Sequence, residues 1–162
     1  MHLISFIYTI PGWLATFLLA MSPIFELRGA IPLGIGVYGL SPLNTYIIAV
    51  LGNLVPVVLL LRYLDPVSCY LMRYPHGNRF FSWLFSRTYR KHAERHRKYG
   101  LLALVLFVSL PLPVTGAWTG SAIAFLFGLK FKYAFPAIAI GILIAGVIVT
   151  AAVVGVEFLI FQ

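Results

Sequence analysis

Residues 43–61 carry no charged side chain, and residues 133–161 carry only Glu157. A membrane-spanning helix needs about 20 mostly apolar residues, so each run can cross a bilayer. Two further apolar pieces are too short for that. At 1.5 Å per residue, residues 13–22 and 101–110 each give about 15 Å of helix, roughly half a hydrocarbon core. Each is followed by a stretch rich in helix breakers, "SPIFELRGAIPLGIG" at 22–36 and "PLPVTGAWTGS" at 111–121. Only 10 % of the 162 residues are charged, against about 25 % in soluble domains. The chain therefore reads as an all-α integral membrane protein of one domain.

The net charge of +8 does not indicate nucleic acid, because the cations are segregated. Arg62, Arg73, Arg79, Arg87, Arg90, Lys91, Arg95, Arg97 and Lys98 fall between the two apolar blocks. That is the pattern of a cytoplasmic loop of a cell (inner) membrane protein. Residues 63–100 are thus expected in the cytoplasm. Phe80, Phe81, Trp83, Leu84 and Phe85 precede the densest basic run, so segment 72–99 is expected to lie at the membrane surface as an amphipathic element. No basic region precedes the first apolar stretch, and no cleaved signal peptide is expected. Cys69 is the sole cysteine, so there is no internal disulfide.

The order short helix, break, short helix, full span occurs twice, over about 12–62 and about 101–161, with 63–100 as connector. Gly29-Ala30 pairs with Gly116-Ala117 at an offset of 87, and Gly39-Leu40 with Gly128-Leu129 at 89. If 101–129 crossed as a straight span, Lys130 and Lys132 would lie opposite the basic loop. As a re-entrant hairpin it leaves 11 of the 12 Lys and Arg residues on one side, Arg28 excepted. The two halves then have opposite topology, and their hairpin tips meet near the midplane. Inverted repeats with broken helices are a transporter architecture. The alternative is four ordinary helices, with 13–40 and 101–129 each a kinked full span.

The tips carry the candidate chemistry. A charge near the membrane centre costs at least about 2.5–3.5 kcal/mol, so Glu26 and Arg28 need partners or a function. Arg28 can hold a phosphate or carboxylate through its guanidinium fork. The second half-helices begin near residues 27 and 115, and helix N-termini favour anions. Gly29 and Gly116 let backbone approach, and Thr115, Thr119 and Ser121 add hydroxyls. Trp118 either packs at the second tip or lines a cavity. Glu26 is the expected proton-coupling residue, since desolvation penalises its charged form. The bland alternative is a mutual Glu26–Arg28 pair, or bonds to loop backbone, that only staples the tip.

Asp65, before Pro66, reads as a surface cap, and Glu157 as interfacial. His92 and His96 are spaced i,i+4, but the surrounding cations oppose a metal there. No catalytic constellation, cofactor motif or metal site is recognised, so an enzyme is not expected.

At "FELRGAIPLGIG" and "SLPLPVTGAWTGS" the chain resembles the small multi-drug export protein family, over nearly its whole length. That resemblance implies efflux of small compounds. More distantly the layout is similar to the DedA/VTT (SNARE-associated) membrane proteins. These have two opposed re-entrant hairpins with acidic and arginine residues at the tips, and are associated with moving lipids such as polyprenyl phosphates. Glu26 and Arg28 match the acid and the cation of the first tip. The second tip has no charge, where those proteins usually carry an arginine. The expectation is a transporter or flippase for an amphipathic anionic lipid, coupled to protons or ions and working as a homodimer among membrane lipids. The alternatives are a proton-coupled exporter of lipophilic cations and a non-transporting membrane scaffold.

Overall fold

The computed structural model describes residues 10–74, 97–112 and 115–160, together with Arg79 and Ser82. Most of the basic segment 72–99, including the aromatic cluster, His92 and His96, lies outside the described residues. So do Pro113 and Val114 of the second break.

Six α-helices account for the described fold: α1 Gly12–Met21, α2 Glu26–Pro32, α3 Pro42–Leu71, α4 Arg97–Ser109, α5 Ala117–Leu126 and α6 Phe131–Ile160. A π-helical stretch, Leu33–Val37, continues α2. No strand occurs among the described residues. The all-α expectation holds, and among the described residues α3 and α6 are the two helices long and apolar enough to cross a membrane. Each has 30 residues, or about 45 Å, more than the roughly 30 Å hydrocarbon core.

Local chemistry sets the boundaries. Ser41 caps α3, its Oγ accepting from Asn44 N at 3.4 Å, and Pro42 occupies the first turn, where its missing N–H costs nothing. Gly39 and Gly128 adopt φ of 62° and 61° and end the short helices with left-handed caps. These two glycines, matched in the sequence repeat, hold the same position in both halves. The Gly29-Ala30 match does not carry over. Gly29 lies inside α2, whereas Gly116 precedes α5 with φ 143°. The span expected over 43–61 continues to Leu71, through Pro56 and Pro66. Asp65 is therefore inside a helix, not a cap. A proline deletes one helix hydrogen bond but does not by itself end a helix whose flanks are packed. Asn53, Val57 and Leu61 are buried around Pro56.

The short helices pack on the long ones. α1 lies along α3, α4 lies along α6, and α3 and α6 pack on each other. α2 and α5 each touch both long helices. Small residues allow the close approach. A Cβ at Gly52 would meet the Phe17 carbonyl oxygen of α1 at 2.5 Å, and one at Gly141 would meet Val108 of α4 at 2.7 Å. Ile31, Val57, Ile138 and Ile142 are fully buried between the elements. The outer face is also apolar, with Leu51, Leu59, Ile140, Leu143, Val147 and Val156 exposed. An exterior of this kind suits lipid rather than water.

Candidate functional site

The turn Ser22–Phe25 between α1 and α2 delivers Glu26 and Arg28 to the break between α4 and α5. The Glu26 backbone has φ 46°, the one non-glycine positive φ among the described residues. Such a backbone is unfavourable for a glutamate, and it places the side chain against the other helix pair. Its Oε1 accepts from Trp118 N at 3.2 Å. Trp118 is the second residue of α5, where a capping side chain normally acts. The residue before α5 is Gly116, which has no side chain to offer. Glu26 thus caps a helix from 92 residues away.

Gly116 is required here for two reasons. Its φ of 143° and ψ of −165° fall in a region confined to glycine. A Cβ on it would also overlap the Glu26 carboxylate.

Arg28 completes the contact. Its Nη2 lies 3.6 Å from Glu26 Oε2, and its Nη1 donates to the Leu112 carbonyl of the second break. The indole Nε1 of Trp118 donates back to the Met21 carbonyl at 3.1 Å, satisfying one of the carbonyls left open at the end of α1. Three hydrogen bonds that run in both directions therefore join the two helix pairs at their breaks, and the Glu26–Arg28 ion pair within the first break holds its two charged side chains together. Glu26 is 6 % exposed, while the Arg28 side chain keeps 29 % of its surface accessible.

The other sequence candidates divide. Thr115 serves its own break, its Oγ1 donating to the Leu110 or Leu112 carbonyl and accepting from Leu112 N. Ser121 is fully buried, and its hydroxyl donates to the Ala117 carbonyl one turn back. Thr119 is half-buried on α5. Gly29 packs against Phe25 and stands outside the cluster. The N-terminus of α5, an anion site by its dipole, holds the chain's own carboxylate. The mutual pair and the backbone bonds are both present, so Glu26 and Arg28 are partnered.

One residue of the site is missing from the sequence candidates. Asn53, on α3, is 1 % exposed and lines a small cavity together with Glu26, Arg28 and Gly116. Its one signal was an amide in the middle of an apolar span, and Asn44 of the same span shares it without lining the cavity.

A family model described as putative small multi-drug export protein matches residues 26–148. The chain belongs to this family. The match begins at Glu26 and includes most of the first break, all of the second, α3 and more than half of α6. With the apolar exterior and the two span-length helices, it makes this a membrane protein of an export family. Comparisons with curated proteins and with solved structures return no match.

Proposed function

We propose that the protein is a carrier, not an enzyme, that moves a small amphipathic compound with an anionic group across the cell (inner) membrane. A phosphorylated polyprenyl lipid is one such compound. Arg28 anchors the anion and Glu26 couples its movement to protons. In this reading α1–α2 and α4–α5 are re-entrant hairpins dipping from opposite faces, with 63–100 in the cytoplasm and two copies enclosing the path.

The observation that carries the reading is the unequal exposure of the tip pair. Arg28 remains 29 % accessible beside a nearly buried Glu26. A guanidinium has five N–H donors, and the two contacts of Arg28 leave donors for an arriving anion. Such an anion competes with Glu26 and with the Leu112 carbonyl. A proton on Glu26 neutralises the ion pair and weakens the cap on α5. Either event loosens the contact between the helix pairs, and alternating access requires elements of this kind to part. A single membrane carboxylate also suits an exporter of lipophilic cations, but Arg28 at 3.6 Å repels a cation, so the anionic substrate is preferred.

The test is reconstitution of wild type, Glu26→Gln and Arg28→Gln in liposomes. A fluorescent polyprenyl phosphate and a lipophilic cation dye are followed with and without a pH gradient. The proposal expects the phosphate lipid to move and Arg28→Gln to stop it. Movement of the dye alone, stopped by Glu26→Gln, replaces this reading with cation export. Stable variants and no movement of either compound favour a scaffold.

A further inference from the structure

Asn53 sits in the apolar middle of α3, one turn before Pro56. Its Oδ1 is buried and has no hydrogen-bond partner. An unpaired buried acceptor is costly, and buried polar atoms nearly always find a partner in protein or ordered water. The cavity it lines also exposes Glu26, Arg28 and Pro111. The space open to the centre of a water molecule is about 10 Å³, room for one water. Cavities that stay dry are walled by apolar groups alone. This one has a carboxylate, a guanidinium and an amide on its walls, and the remaining walls, among them Val108, Ile142 and Val149, supply no donor for Asn53.

We infer that a single water occupies this cavity and bridges Asn53 Oδ1 to the Glu26 carboxylate, which makes Asn53 a positioning residue for Glu26. Each hydrogen of the water has one acceptor, and the orphan amide oxygen is satisfied. The bridge links the tip to α3 just before Pro56, where the proline leaves one helix hydrogen bond unmade. A carboxylate only accepts, whereas a protonated carboxyl also donates. When Glu26 gains a proton, the water turns to accept from it and keeps its bond to Asn53. The state of the tip is thereby felt at the bend of a long helix. The role in coupling rests on the carrier reading above, but the water itself does not.

Infrared difference spectroscopy of the purified chain between low and high pH tests this. The Glu26 band is the one lost in Glu26→Gln. It is expected to shift in Asn53→Leu, and to stay in place in Thr150→Val, which removes the other buried unpartnered side-chain oxygen, a hydroxyl, outside the cavity. A water O–H band that moves in H₂¹⁸O and disappears in Asn53→Leu is expected alongside. An unmoved Glu26 band in Asn53→Leu overturns the inference. If Asn53→Leu does not fold, wild type in H₂¹⁸O decides, since absence of any isotope-sensitive band from a buried water also overturns it. Wild-type liposomes that move neither substrate defeat the carrier reading and leave the infrared result standing. Active liposomes with an unmoved band defeat the bridge alone.

Discussion

The two breaks do the same job with opposite materials. The first brings side-chain charge, through Glu26 and Arg28. The second brings backbone: the N–H of Trp118, the carbonyl of Leu112 and the bare Cα of Gly116. Only Trp118 crosses that division, by returning its indole N–H to the first pair. Two breaks that meet do not need the same residues in both halves of the chain. They need complementary ones where the halves meet. A second charged tip would set four buried charges against one another, whereas one charged tip against a polar backbone satisfies the carboxylate at far lower desolvation cost.

If this complementarity holds the breaks together, the largest effect comes from filling Gly116. Gly116→Val should cost more than about 3 kcal/mol. The backbone region there carries a penalty of about 1–3 kcal/mol for other residues, and displacing a nearly buried carboxylate from its partners adds several more. Thermal melting in detergent should show collapse of the fold. A Gly116→Val protein as stable as wild type would mean that the Glu26 contact does not exist.

Removing the charged side separates two roles of Glu26. Glu26→Ala is expected to cost about 2 kcal/mol, of which about 1 is the lost helix cap. The remainder, from Arg28 left without its partner, is held down by that residue's exposure. Glu26→Gln keeps an acceptor for Trp118 N and should cost about half as much. Equal melting temperatures for the two variants would show that charge, not capping, ties the breaks.

The sequence made some of this legible and left the rest hidden, for physical reasons. Two charges in a Pro/Gly-rich break announce Glu26 and Arg28 as special, because lipid tolerates neither. The long helices and both left-handed caps follow from apolar length and from Gly39 and Gly128. The end of α3 was obscured because Arg62, Asp65 and Pro66 suggest a boundary by composition, while the helix continues past them to Leu71 with Ser68 buried in the added turns. Which carboxylate caps α5 could not be read at all. That depends on an absent side chain at Gly116 and on a partner brought in by tertiary packing. Asn53 does not stand out from Asn44 in the same apolar span, and its place beside Glu26 exists only once α3 lies behind the tip.

Trp118→Phe tests the return contact. The substitution keeps an aromatic ring but removes the donor to the Met21 carbonyl and part of the ring volume, for an expected loss of about 1.5 kcal/mol or more. Thermal melting against wild type measures it. No loss would leave the first break as the sole contributor of side-chain bonds between the pairs.

The smallest effects test where the halves are alike. Gly39 and Gly128 have nearly the same positive φ, and a Cβ on Gly39 would meet nothing within 4 Å. Gly39→Ala therefore isolates the left-handed backbone cost, about 1 kcal/mol. Gly128→Ala should cost the same if its cap is the structural twin. Both values come from matched melting curves. A much larger loss at Gly128 would mean that the second cap bears packing the first does not. The likeness of the halves would then be confined to chain direction, and the asymmetry of the breaks would extend to the ends of the short helices.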